Sequence, residues 1–209
     1  MQADTLFYVA VLVMSVVIHE VSHGYMADVL GDRTARLAGR LTLNPIPHID
    51  PIGSILVPLV LSITHSGFLF GWAKPVPYNP RNLSNQRWGS ALVGAAGALS
   101  NLLVAFVFGM VVRFGPMYGL PPEFFAISNM IVVVNLLLAV FNLLPFPPLD
   151  GAKVLFGVLP QRFQYIEAAM EQYWMVLIIV VIFAGWQIIL PVMSLLYTLF
   201  TGYAWPIGL

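Results

Sequence analysis

The sequence has no cysteine and very little charge: none of its 209 residues is Cys, and Asp, Glu, Lys and Arg together make up 9%. Without thiols there is no disulfide, thiolate metal site or cysteine nucleophile, so any bound metal must use His, Asp, Glu or amide ligands. Nine Lys and Arg face nine Asp and Glu. No basic surface is left to neutralise a run of phosphates, which excludes nucleic acid as an expected partner. Also missing are an internal repeat, a low-complexity tract and any polar stretch long enough for a second, soluble domain, so the chain reads as one unit, 1–209. What it has in abundance is apolar surface. With 59% hydrophobic residues and a mean hydropathy of +0.88, this is the composition of an integral membrane protein.

A helix needs about 20 largely apolar residues to cross a hydrocarbon core of ~30 Å. Four segments qualify: 6–30, 88–112, 124–149 and 174–209, the last three without a single Asp, Glu, Lys, Arg or His. No basic residue precedes the first, and its apolar run is too long for a cleaved signal, so it is expected to be retained. The last is longer than one span requires. Gly185 and Pro191 are expected to kink it, or to divide it into a span and a surface-lying end.

Segment 52–72, IGSILVPLVLSITHSGFLFGW, holds a dozen apolar residues around Pro58 and then a polar break at 64–67. If it re-enters, Arg33, Arg36, Arg40, Lys74, Arg81, Arg87, Lys153 and Arg162 share one side against Arg113 alone, eight to one. If it spans, the first three join Arg113 and the count is four to five. Lys and Arg in short loops favour the cytoplasmic side, so the first arrangement is the expected one. The predicted fold is therefore an all-α polytopic bundle of about four spans, plus a re-entrant segment or hairpin at about 52–72 with room for short extended strands. Its backbone must be sheltered by neighbouring helices.

Within the first span stand His19, Glu20 and His23, the pattern HEVSH. Positions i and i+4 of a helix share a face roughly 6 Å apart, so two imidazoles can reach one ion while the Glu points at a water beside it. This spacing suits zinc hydrolysis. In a soluble protein, helix-end histidines with a snorkelling Glu would read as well. Within a membrane, three ionisable groups in five residues imply a partner that offsets about 2.5–3.5 kcal/mol for each charge, and a bound dication is the simplest. Two His and a water leave zinc one protein ligand short.

The candidates for that ligand are few. Asp150 closes FNLLPFPPLDG, where Pro145, Pro147 and Pro148 halt an apolar helix and a carboxylate follows at membrane depth. Taken alone it also reads as a turn or N-cap Asp. His48 in LNPIPHIDP is a second candidate, although its Pro-rich loop fits turn hydrogen bonding, and Asp50 reads the same way. His65, in the polar break, reads as interfacial. Topology gives an independent check: with 52–72 re-entrant, Asp150 emerges on the side where His23 lies, and with it spanning, on the other. Counted from Leu6, His19 lies ~20 Å down the helix, about 10 Å inside the basic-side boundary.

HEVSH in a membrane helix, FNLLPFPPLDG after a later one, and FGWAKPVPYNPRNLS and GAAGALSN between them resemble the site-2 proteases, a family of intramembrane zinc metalloproteases. The resemblance runs from about Ser15 to Lys153, in a minimal form without PDZ or CBS domains. It implies one Zn2+ per chain held by His19, His23 and Asp150, with Glu20 as catalytic base and Asn101 and Asn142 contacting the substrate backbone. It implies transmembrane protein substrates within a lipid bilayer. One departure is visible: the family has GPxxN where this chain has Ala98 before Asn101.

From the residues alone, the Gly and Pro of 70–80 suit an extended edge that could pair with an unwound substrate. Localisation is expected in the cell membrane of a prokaryote, with the site toward the cytoplasm. The rival reading is a non-hydrolytic membrane metal-binding or transport protein. It leaves the Glu of HExxH poorly explained.

Overall fold

The computed structural model describes residues 2–63 and 71–205. The helices are α1 (Gln2–Val29), α2 (Thr34–Leu37), α3 (Val57–Ile63), α4 (Gln86–Phe114), α5 (Pro122–Asn142), α6 (Asp150–Val158), α7 (Gln164–Gln172), α8 (Trp174–Ala184) and α9 (Trp186–Thr201). There is no strand among the described residues. Stretches Leu6–Val29, Gln86–Tyr118 and Pro122–Asn142 are long and apolar enough to cross a membrane. A fourth candidate span is the bent pair Trp174–Val181 and Trp186–Thr201, which meet at 58°. The all-α polytopic expectation holds.

Two boundaries differ from the sequence reading. The third span stops at Asn142 rather than 149, because Pro145, Pro147 and Pro148 cannot continue the ladder of backbone hydrogen bonds. The last span bends at Gly185 and not at Pro191, which lies inside α9. A Cβ at Gly185 would stand 2.3 Å from the Val181 carbonyl oxygen, so only glycine allows the backbone to close at that bend.

Helix α4 is the centre of the bundle and packs against α1, α5, α6 and α9. Its buried Ala91, Gly94, Ala98, Asn101 and Ala105 recur at three- and four-residue spacing and form a stripe of small side chains. Such a stripe lets helices approach closely where lipid supplies no hydrophobic drive between them. Gly94 lies under the Asp150 carbonyl and Lys153, and Gly157 lies against Ala91. The opposite face exposes Leu92, Leu99, Leu103 and Phe106, as a lipid-facing surface does. Asn85 caps the start of α4, accepting from Trp88 N–H at 3.1 Å.

The direction of each helix follows from its hydrogen bonds. Ser15 and His19 meet Asn101 of α4, whereas His23, further along α1, meets the earlier Val93, so α1 and α4 are antiparallel. Ser84 N–H donates to Leu30 O at 2.9 Å, so the chain leaves α1 and enters α4 at the same end. Segment 52–72 therefore does not carry the chain across.

Its described part is a wide helical turn, Pro51–Leu56, running into α3. Trp72 then returns to the start, with its N–H on Gly53 O at 3.2 Å and its carbonyl accepting from Ser54 Oγ at 2.8 Å. That is a hairpin. Residues 64–70, including His65, lie outside the described residues. Of the extended edge expected at 70–80, the described residues 71–79 form no strand.

Asp32 ties that segment to the end of α1. Fully buried, it accepts from Thr34 N–H (3.2 Å), Thr34 Oγ (2.6 Å), Asn79 N–H (2.6 Å) and Asn82 Nδ2 (2.8 Å). Burial opposes its ionisation, but these donors outweigh burial and hold the carboxyl below its ordinary range. Its stabilisation is complete above an unfolded value of about 3.9 and is lost as pH falls through the lower folded value. Asp32→Ala leaves four part-buried donor groups without their charged acceptor and is expected to cost about 1–3 kcal/mol. Thermal melting in detergent at neutral pH checks this, and an unchanged midpoint would contradict it.

Candidate metal centre

His19 and His23 are one turn apart on α1, and both face α4 because Gly97 leaves room for them. A Cβ at Gly97 would lie 2.6 Å from His19 Nε2 and from His23 Cε1. Asp150 comes from the first turn of α6. The backbone of α6 begins hard against the end of α5, where a Cβ at Gly151 would lie 2.2 Å from Leu143 O. The Asp-Gly pair thus has two separate causes: a carboxylate that faces the histidines, and a residue with no side chain where two helix ends touch.

The three side chains converge. Asp150 Oδ2 lies 3.0 Å from His19 Nε2 and 3.0 Å from His23 Nε2. All three residues are buried, with ligand atoms within 4.8 Å of one another. The second carboxylate oxygen, Oδ1, accepts from Lys153 Nζ at 2.9 Å.

The protonation of the two rings follows from their other nitrogens. His23 Nδ1 is 2.6 Å from the Val93 carbonyl, which can only accept, so Nδ1 carries the proton. His19 Nδ1 is 2.7 Å from Asn101 Oδ1. That amide cannot be reversed, because its Nδ2 donates to the Ser15 carbonyl at 3.2 Å. With Nδ1 protonated, each ring in its neutral form turns the Nε2 lone pair toward a carboxylate oxygen that is itself an acceptor. Three acceptors facing one another with no donor between them fit a cation. The donor set of two imidazoles and one carboxylate, each histidine held from behind, is that of a catalytic zinc site.

Glu20 is not part of this cluster. It is half-buried, and its Oε2 accepts from Val76 N–H at 2.8 Å. It lies within electrostatic reach of His23 and Lys153. Val76 belongs to the segment pinned by Lys74 N–H on His48 O (2.9 Å) and by Arg40 Nη2 on Lys74 O (2.7 Å).

His48 is fully buried and donates through Nε2 to Thr42 O at 3.0 Å. Asp50 caps the hairpin through Ile52 and Gly53 N–H. Neither joins the metal cluster. Asn142, the last residue of α5, is half-buried and donates to Leu138 O at 2.9 Å. Asn101, expected to face substrate, is fully buried, and both ends of its amide are engaged inside the bundle. The sequence reading missed Lys153, Ser15 and Asn135. An amide in the middle of the apolar run of α5 was the signal for the last of these.

The family model described as peptidase family M50 matches residues 120–185, which include α5 and Asp150. "Putative zinc metalloprotease YwhC" of Bacillus subtilis is 37% identical over 183 residues, covering 83% of this chain and 78% of that protein. The chain belongs to peptidase family M50. This is the family of site-2 proteases that the two motifs resemble. "Putative zinc metalloprotease Rip2" of Mycolicibacterium smegmatis is 32% identical over 172 residues, 81% of this chain, and the match spans 63% of that protein's length. No solved structure matches this M50 chain.

Proposed function

We propose that this chain is a single-domain intramembrane zinc metalloendopeptidase of the HExxH type, which hydrolyses peptide bonds within or near transmembrane segments of membrane-protein substrates. The observation that carries this reading is the convergence of the His19, His23 and Asp150 side chains, all buried, between membrane helices. The zinc metalloprotease names of its relatives point the same way. One zinc ion held by these three side chains would supply a Lewis acid and a water whose pKa falls to about 7.

The chain's own residues do the rest. Glu20, next to the first ligand, takes a proton and returns it to the leaving amine, and Val76 N–H fixes the direction of its carboxylate. Lys153 holds Asp150 Oδ1, which leaves Oδ2 for the metal. Asn142, eight residues before Asp150 at the mouth of the same turn, contacts the substrate strand. A helical substrate hides its carbonyls in internal hydrogen bonds and must unwind before attack.

The test is purified protein, assayed for metal and for cleavage of a panel of single-span helices with and without chelator. Zinc-dependent cleavage within or beside a span is the expected result. Cleavage that survives removal of the metal, or no cleavage of any span by zinc-loaded protein, overturns the reading.

The protein lies in the cell membrane of a prokaryote with its site toward the cytoplasm, a reading supported by the eight-to-one distribution of basic residues. Single cysteines can be introduced cleanly, since the chain has none. At Met117 a cysteine is expected to react with impermeant reagent in intact cells, and at Arg36 to react only after lysis. The reverse pattern overturns the topology.

A further inference from the structure

Behind the histidines, away from the carboxylate, a chain of polar side chains crosses three helices of the bundle. Asn135 of α5 is fully buried in a predominantly apolar span, as is Asn101 of α4, and Ser15 of α1 is nearly so. Asn101 Nδ2 donates to Asn135 Oδ1 at 2.8 Å, and Asn135 Nδ2 donates to Ser15 Oγ at 2.9 Å and to Ile131 O at 2.9 Å. Two backbone carbonyls, Ile131 O and Ser15 O, only accept, so each fixes which end of its neighbouring amide points where. The chain of constraint has one outlet, the Asn101 oxygen, and that oxygen meets His19 Nδ1 at 2.7 Å.

From this connectivity we propose that Asn135 and Ser15 are positioning residues for the metal site. Through Asn101 they hold His19 in the Nδ1–H tautomer and at the ring angle that directs Nε2 toward the metal. His23 needs no such device, because it is held directly by the Val93 carbonyl. At His19 the acceptor from α4 is a side-chain amide in place of a backbone carbonyl. An amide can rotate and present nitrogen in place of oxygen, which a carbonyl cannot. The further shell of Asn135 and Ser15 removes that freedom. A buried polar group in the middle of a span is costly unless satisfied, and here every amide hydrogen of Asn101 and Asn135 has an acceptor.

The inference rests on the reading of His19, His23 and Asp150 as zinc ligands and is tested on the metal rather than on turnover. Zinc affinity is measured by chelator competition on the purified full chain, together with the visible spectrum of the cobalt-substituted protein, for Asn135→Leu, Ser15→Ala, Asn101→Leu and the double variants. Removing such outer partners typically weakens metal binding about 10–100-fold. Asn101→Leu is expected in that range, Asn135→Leu at about tenfold with a shifted cobalt spectrum, and Ser15→Ala at a smaller loss. Because Asn135 acts only through Asn101, adding Asn135→Leu or Ser15→Ala to Asn101→Leu is expected to cause no further loss.

Losses that multiply in the double variants mean independent packing effects and overturn the proposal, as does an Asn135→Leu protein with native affinity and spectrum. If Asn135→Leu does not fold, Ser15→Ala decides, since it leaves the backbone carbonyl in place and removes only one hydroxyl. Native zinc affinity in that variant overturns the proposal. Zinc binding that is unchanged in Asp150→Ala overturns the ligand assignment itself. A wild-type site that depends on Asp150 but not on Asn135 overturns the positioning role alone.

Discussion

Asp150→Ala is expected to lose both zinc and peptidase activity. The change leaves two imidazoles one turn apart, and two neutral ligands are too few for a stable tetrahedral site. It also leaves Lys153 Nζ, 2.9 Å from the missing carboxylate, as an unpaired ammonium beside the metal position, where it would repel a dication. Metal analysis after dialysis and cleavage of a single-span substrate are the measurements. Stoichiometric zinc with residual cleavage in this variant would show that another group supplies the third ligand. His48 is a poor substitute, since its Nε2 is engaged with Thr42 O.

Glu20→Gln is expected to separate binding from chemistry. Glutamine keeps the shape of Glu20 and an oxygen that can accept from Val76 N–H, so the local structure and the metal are retained. It cannot accept a proton. A positioned general base contributes about 10²–10⁴ in rate, and the loss is expected to be at least of that size. Zinc content near one per chain with cleavage below detection is the expected pair of results. Full activity in Glu20→Gln would end the HExxH mechanism, and loss of metal would make Glu20 a structural neighbour of the site.

Much of the site was legible in the sequence because much of it is local. His19 and His23 share a face by helical periodicity alone, and Asp150 announces itself as a carboxylate after three prolines that stop an apolar helix. Asn101 was legible as an amide on an apolar helix but not in its contacts. Whether it faces a substrate or the back of a histidine depends on the rotation of α4 against α1, which no spacing within α4 specifies. Lys153 was counted only as a basic residue of one membrane side. Its position over Asp150 follows from α6 being helical from its first residue, which brings i and i+3 together.

The sequence by itself determined that this is a membrane protein, where its apolar segments lie, and that two histidines can share an ion; for 52–72 it favoured re-entry, which the antiparallel α1 and α4 decided. Each of these depends on composition, on charge counted across loops, or on a period of 3.6 residues, all properties of short stretches of chain. Only the tertiary structure decided that Asp150 meets His19 across 131 positions of sequence. It alone decided that Val76 N–H, 56 positions away, caps Glu20, and that amides from two further helices stand behind His19. Those pairings are set by how closely glycine-bearing faces let helices approach and turn against one another. A Cβ at Gly97 would displace the two histidine rings, and one at Gly151 would collide with the Leu143 carbonyl.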